Sequence, residues 1–387
     1  MDTSEIGVNV IGDFAATTGL MEAGRRLLRS LLDAGVSVSL EPHTSGATRS
    51  DTRLPPEIER LPRGRPHPID LLLLNINEMA VVPEGWLRSP PTRHHMIGAW
   101  FWEMSGFPDD VGEQTVRVDE IWVASTFVRD AFRGIARKTV TVVPPAVEVR
   151  APADFDATRF GVRDDAVVYF FNFDALSTAA RKNPWGVVEA FSRAFTPEER
   201  AHQVQLVIKV HNLERAPAMA EPLRDAVATV DGALVNAELA RGDMDGLLER
   251  TDVYVSLHRS EGFGLGLAEA MYLGKPVIAT AYSGNMDFTA PGNSCLVGYS
   301  MKRVTEADHR HYRPATINYR PGLVWADPDV ALAARWMRLL YERPDLRRDI
   351  GARAAVAIRD GYAATNQLEA VTMRLRAIAA TLDQEAS

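Results

Sequence analysis

The chain has 387 residues, enough for two domains at roughly 150 residues each, and its 46% hydrophobic and 24% charged content excludes wholesale disorder. Lys and Arg number 43 against 51 Asp and Glu, a net charge of -8, which argues against a nucleic-acid partner held by bulk charge. The single cysteine, Cys295, has no internal disulfide partner, no apolar run approaches the roughly 20 residues that span a bilayer, and the acidic start Met1–Glu5 lacks the basic region of a signal peptide; the expectation is a soluble, cytoplasmic protein.

Short β-branched runs alternate with helical patterns along most of the chain. Strands are expected over 6–11, 36–40, 69–74, 95–101, 120–124 and 139–143. A helix is expected over 20–34, where Leu20, Ala23, Leu27, Leu28 and Leu31 recur at helical spacing. Another follows over 126–136 behind Ser125, a natural N-cap, and a polar, proline-rich loop covers 41–68. Pro144-Pro145 and the stretch 150–158 break the alternation, because proline suits neither a helix interior nor a strand ladder. The boundary is therefore placed between a domain of 1–148 and one of 149–364. In the second, strands are expected over 166–171, 204–210, 233–235, 253–257, 276–279 and 294–297, and helices over 184–195, 244–250 and 265–273. An irregular insertion at 300–321 precedes three amphipathic helices over 330–341, 344–360 and 365–382. Strand–helix alternation run twice implies two doubly wound α/β domains. Ligands then bind beyond the carboxyl ends of the strands, in loops expected to face one another across a cleft.

The segment richest in chemistry is Ser256-Leu-His-Arg-Ser-Glu-Gly-Phe-Gly-Leu-Gly-Leu-Ala-Glu-Ala-Met271, which reads strand, turn, then glycine-rich helix start. Glycines let the backbone approach a ligand closely, and the free N–H groups of a helix start attract phosphate. Glu261 falls in the turn and Glu269 inside the helix. A glycosidase pair needs its carboxylates ~5–9.5 Å apart across one bond, which a turn and a helical stretch between the two glutamates would exceed.

This Glu-Gly-Phe-Gly-Leu-Gly-Leu-Ala-Glu context resembles the E-x7-E signature of retaining GT-B glycosyltransferases, the group 1 family. Thr251–Leu257 before it, and Gly274–Thr280 and Gly284-Asn-Met-Asp287 after it, are similar to the same family, and the likeness covers most of 165–300. The resemblance implies two facing Rossmann-like domains, the donor bound mainly by the second, and the last helix (365–382) crossing back to the first. It implies that Glu261 contacts hydroxyls of the transferred sugar and that Glu269 binds the nucleotide ribose. Backbone amides around Phe263, Gly264 and Leu265 then hold the distal phosphate, and Asn285 lies among the donor-binding residues.

Upstream, Arg181-Lys182-Asn183-Pro184 resembles the family's post-strand loop, where a cation neutralises the departing diphosphate. Lys182 is the first candidate and Arg181 the second, against a plain solvated loop end before a Pro-started helix. The further arginine of many relatives, about six residues earlier, is replaced here by Leu176. Gly19, after the first strand, stands where relatives carry a glycine-rich loop, against the reading of an ordinary turn. Trp100, Trp102 and Glu103 resemble an aromatic–Glu stretch of a mannosyltransferase-like subset. Glu103 is expected to touch sugar or acceptor, and the indoles either stack on a sugar or fill the core. His211, closing the strand Lys209-Val-His211, is a further candidate for contact with the nucleotide.

Other patterns point to bland roles. Asp243-Met-Asp245 and Asp327-Pro-Asp329 are expected to cap helices rather than bind metal, and His94-His95 and His309-Arg-His311 lack metal-ligand spacing. Neither a nucleophile elbow nor a Walker loop occurs. The expected activity is sugar transfer, with retention, from a nucleoside diphosphate to a saccharide or glycolipid hydroxyl. GDP-mannose is favoured slightly over UDP-sugars, and neither a metal nor another cofactor is required. A GT-B epimerase or phosphorylase and a non-catalytic sugar-binding protein stay open beside it, as does the oligomeric state. Peripheral membrane contact through Arg25, Arg26 and Arg29 is weighed against a merely solvated helix face.

Overall fold

The computed structural model describes residues 6–14, 19–43, 54, 56–83, 94–309 and 320–386. The Met1–Glu5 start, most of the loop before Gly19, His311 and the centre of the expected insertion lie outside them. The chain divides into two compact units, Met1–Ala146 with Tyr362–Ser387, and Val147–Gly361.

The first unit holds a six-stranded parallel sheet of β1 (Gly7–Gly12), β2 (Ser37–Pro42), β3 (Ile69–Leu73), β4 (His95–Ala99), β5 (Glu120–Val123) and β6 (Thr139–Val142), in the order β2-β1-β3-β4-β5-β6. Strands β1 and β3 are buried along their whole length, as strands covered on both faces must be. Buried Asp70 in β3 is held by Asn9 at 2.7 Å and by Arg65. Helix α1 (Gly19–Asp33) places Leu27, Leu28 and Leu31 in a core shared with Val371, Leu375 and Ile378 of the last helix. Helix α2 (Thr126–Arg133) starts where Ser125 accepts the Val128 N–H at 3.3 Å.

Two alternatives left open for this unit are decided by its packing. Trp100 and Trp102 are fully buried, Trp100 against Phe132 at 5.6 Å and Trp102 stacked on Phe107 at 4.4 Å. Their apolar area is used in the unit's own packing, so neither offers a face to a sugar. Arg25 and Arg26 pair with Glu22, and Arg29 pairs with Glu57, so the helix carries ion pairs rather than a free basic patch. Among the described residues no helix is long and apolar enough to cross a membrane.

The second unit repeats the architecture with β7 (Val167–Asp174), β8 (Val204–His211), β9 (Ala233–Asn236), β10 (Val253–Ser256), β11 (Val277–Thr280) and β12 (Cys295–Val297), ordered β12-β11-β10-β7-β8-β9. Its helices are α3 (Ala179–Lys182), α4 (Pro184–Ala194), α5 (Pro197–His202), α6 (Pro217–Ala228), α7 (Arg241–Arg250), α8 (Leu265–Tyr272), α9 (Val330–Glu342) and α10 (Pro344–Gly361). The chain winds outward from β7 through β8 and β9, then returns to β10 on β7's other side. That reversal between β7 and β10 is where a doubly wound sheet opens a crevice beyond its carboxyl ends. Alternate residues of the central strands, including Phe171, Phe173, Ile208, Val210 and Val255, face one core with α4, α6 and α9. The chain ends in α11 (Ala364–Ala386), which belongs to the first unit.

Helices α3, α5 and α6 are not anticipated by the sequence reading. Pro222 lies inside α6, yet Met219, Ala220, Leu223 and Val227 still bury one face, and tertiary packing overrides local propensity there. The start of the expected irregular insertion is also corrected, while residues 310–319 lie outside the described residues. β13 (Tyr299–Arg303) pairs antiparallel with β14 (Val324–Pro328), and Trp325 anchors that ribbon in the interior.

Candidate active site

The β7 and β10 ends at the reversal deliver the residues singled out in the sequence. After β7 the chain makes a tight loop in which Thr178 (φ 58°) and Asn183 (φ 55°) take left-handed backbone angles. Asn tolerates that conformation, and Asn183 is locked in place twice. Its Nδ2 donates to the Leu257 carbonyl at 2.9 Å, and its Oδ1 accepts the Gly186 N–H at 3.3 Å, capping α4. The short α3 between these residues presents Arg181 and Lys182.

Glu261 follows β10. Its peptide N–H donates to Ser283 Oγ at 2.8 Å, and its carbonyl accepts the Gly284 N–H at 2.9 Å. Gly284 is required here, because a Cβ would fall 2.2 Å from the Gly262 carbonyl oxygen. The Glu261 side chain meets Lys182 Nζ at 2.5 Å and Arg181 Nη1 at 3.3 Å. Arg181 is only 2% exposed and also donates to the Ser260 carbonyl at 2.8 Å. Burial pushes the Glu261 carboxyl up, but the two cations outweigh it and hold the group at about 2. Glu261 is therefore an anion at neutral pH, flanked by two cations. Beside it His258 is fully buried, and that burial, together with Lys182 and Arg181, takes its imidazole down to about 4, so the ring is neutral.

Helix α8 starts at Gly264, whose φ of 95° suits glycine. No side chain caps this end, which leaves the first-turn N–H groups and the positive end of the helix dipole to a ligand. Gly266 in that turn lets the helix lie against β10 and β7, since a Cβ would be 2.5 Å from the Tyr254 hydroxyl oxygen. Leu265 opens the helix, while the Phe263 ring turns inward onto Phe288 at 5.1 Å. Only the backbone of Phe263 can therefore serve a ligand.

Glu269 lies in the second turn, 5% exposed, with Arg241 Nη2 at 2.7 Å. Arg241 also meets Asp245 at 2.7 Å. This corrects the expectation for Asp243-Met-Asp245, because Ala240 is the N-cap of α7. Asp243 instead pairs with Arg159, and buried Asp245 accepts the Arg150 N–H at 3.2 Å. Of the other acidic pair, Asp329 caps α9 and Asp327 binds Arg259 at 3.0 Å. Arg259, which the sequence reading passed over, also donates to the Ala180 carbonyl and so ties α3 to β14.

The Asn285 side chain is engaged within the protein. It is wholly buried, and its Nδ2 donates to the Thr280 carbonyl at 3.0 Å and to Thr289 Oγ1 at 3.3 Å. The amide holds the turn that carries Ser283 and Gly284. His211 is half-buried at the end of β8. Gly19 and Glu103 belong to the first unit. Gly19 opens α1 and is exposed, with space around it for a Cβ, and half-buried Glu103 lies in the loop after β4. Among the described residues no group of three or more His, Cys, Asp or Glu is placed to hold a metal ion.

Residues 180–356 match the family model described as glycosyl transferases group 1. No curated protein matches the chain by sequence. Among solved structures, the chain is similar to HepE of Anabaena in complex with UDP and glucose, at 14% identity and a TM-score of 0.71, covering 96% of this chain and 100% of that one. Sucrose-phosphate synthase from Thermosynechococcus elongatus gives 14% identity and a TM-score of 0.71 over 97% and 100% of the two chains. The α,α-trehalose 6-phosphate synthase of Burkholderia multivorans gives 12% and 0.64 over 97% and 100%. At such identities the likeness is one of fold, and that fold is the two-domain Rossmann-like α/β arrangement of GT-B.

Proposed function

On the match of residues 180–356 to the glycosyl transferases group 1 model, we propose that the protein transfers a sugar, with retention of anomeric configuration, from a nucleoside diphosphate to a hydroxyl of a saccharide or glycolipid. The observation that carries this reading is the meeting of Arg181 and Lys182 from one strand end with Glu261 from the next. It occurs where the strand order reverses, in the unit that also presents the uncapped start of α8. Two cations and a helix start suit a diphosphate, and a carboxylate suits sugar hydroxyls.

In the proposed reaction the acceptor oxygen bonds to the anomeric carbon on the face the phosphate leaves. The bond from that carbon to the phosphate oxygen breaks, and the departing phosphate oxygen takes the acceptor's proton. Lys182, Arg181 and the first-turn amides at Gly264 and Leu265 stabilise charge that grows on the phosphate. Glu261 orients the sugar and Glu269 holds the ribose. Glu103 and Gly19 are assigned to sugar, acceptor or phosphate contacts, and His211 to the nucleotide. Cations and helix dipole supply the electrostatic stabilisation, so no metal is needed. The HepE complexes make a UDP-sugar the first donor to test. GDP-mannose is the second, on the resemblance of Gly284–Asp287 and Trp102–Glu103 to the mannosyltransferase-like subset.

The test is nucleoside-diphosphate release from each donor in the presence of saccharide acceptors, with the product anomer read by NMR. Retention supports the proposal; inversion, or no turnover of any nucleotide sugar, contradicts it. Dependence on inorganic phosphate, or release of a free epimerised sugar, identifies the phosphorylase or epimerase alternative.

A further inference from the structure

Lys209 interrupts an otherwise apolar strand, Val204-Gln-Leu-Val-Ile-Lys-Val-His211. It is 7% exposed, and among the described residues no hydrogen bond or ion pair reaches its ammonium. Burial lowers its proton affinity, and the more distant carboxylates of Asp174 and Glu238 only partly offset this. Asp174 is engaged elsewhere, accepting from the Leu176 N–H at 2.8 Å and from Asn212 Nδ2 at 3.0 Å.

Strand alternation fixes where Lys209 lies. Ile208 and Val210 on either side enter the core with α4 and α6, so Lys209 is on the opposite face of the sheet. Its partner across the ladder is Asn172, at roughly 5 Å between backbones. Asn172 Oδ1 accepts the Tyr254 hydroxyl at 2.9 Å. Gly266, in the first turn of α8, is close enough that a Cβ there would lie 3.2 Å from that same Oδ1. Glu261 and Glu269 are both within electrostatic reach of Tyr254. The Lys209 ammonium therefore stands one strand from the start of α8, on the face that carries Tyr254 and Asn172.

Resting on the donor-site reading above, we propose that Lys209 is a donor-binding residue whose ammonium gives hydrogen bonds to oxygens of the nucleoside diphosphate. A lysine has three donors and no acceptor. A desolvated ammonium also gains more from an anionic or carbonyl oxygen than a solvated one does.

The test compares the full-length wild type with Lys209→Met, which keeps the length of the side chain in an apolar strand and removes the charge. Titration calorimetry with UDP and with GDP gives the affinities, and the unliganded Tm reports the fold. The expected result is binding of at least one nucleotide by the wild type, weakened about tenfold or more in Lys209→Met. Its unliganded Tm should equal or exceed the wild-type value, because an unpaired, partly desolvated charge has been removed. Should Lys209→Met not fold, Lys209→Gln carries the same comparison. Undiminished affinity in the variant overturns the role of Lys209 and leaves the donor-site reading standing. Failure of the wild type to bind either nucleotide overturns both.

Discussion

Replacing Glu261 with Gln tests the ion-pair cluster in two independent ways. The substitution preserves shape but removes the anion that Lys182 meets at 2.5 Å and Arg181 at 3.3 Å. The carboxyl titrates at about 2 in the folded protein against an ordinary 4.5. Its folded value is depressed, so its stabilisation is fully present above 4.5 and is lost as pH falls towards 2. Linkage gives about 3 kcal/mol at pH 7, declining to about 1 kcal/mol at pH 3. Urea unfolding of wild type and Glu261→Gln at the two pH values should show that narrowing gap. A gap that is absent at pH 7, or unchanged at pH 3, would refute the electrostatic account. The second readout is functional. A negative charge beside a bound diphosphate opposes its binding, and a repulsion of about 1.4 kcal/mol amounts to tenfold. Glu261→Gln should thus bind the free nucleoside diphosphate about tenfold more tightly, while kcat with saturating donor falls on the order of a hundredfold. An unchanged kcat removes Glu261 from the mechanism. Weaker nucleotide binding means the carboxylate supports the diphosphate site instead of opposing it.

Three further outcomes are expected. Arg374→Met leaves the carboxylate of Glu120 buried with its Arg374 contact at 2.7 Å gone, and should lower the stability of the first unit by about 3 kcal/mol at pH 7 in urea titration. Burial raises the Glu120 carboxyl, but hydrogen bonds from His95, Arg374, Thr141 and Trp122 bring it to about 2, so its stabilisation also fades below 4.5. Gly284→Ala should destabilise the second unit by about 2 kcal/mol or more and weaken nucleotide binding, since its Cβ would fall 2.2 Å from the Gly262 carbonyl oxygen; a variant of wild-type Tm and affinity would contradict that packing. EDTA should leave turnover unchanged, and activity lost to EDTA but restored by magnesium or manganese would contradict a stabilisation supplied by cations and helix dipole alone.

What was legible in the sequence was local. Glu261, Glu269 and Gly264 sit in one continuous strand–turn–helix segment, and Arg181-Lys182-Asn183-Pro184 announces a loop end and a helix start by composition. The pairing of Lys182 with Glu261 spans 79 positions, and no periodicity reports such a contact. Arg241 reaches Glu269 from a different helix, and the only signal was an arginine opening a helix. Lys209 was legible in principle, because a charge inside an apolar strand run asks for an explanation. Helix α6 was hidden by Pro222, and β13 by its largely exposed side chains, which remove the hydrophobic alternation that identifies a strand. Trp100 and Trp102 show the converse, because a strand-end aromatic reads alike whether it meets a ligand or the core.

The position of the bound nucleotide is the most direct test of this mechanism. A crystal structure with UDP or GDP should show diphosphate oxygens within about 3 Å of Lys182 Nζ and of the backbone N–H groups at Gly264 and Leu265. A nucleotide seated elsewhere, with the Lys182–Glu261 pair undisturbed, would contradict it.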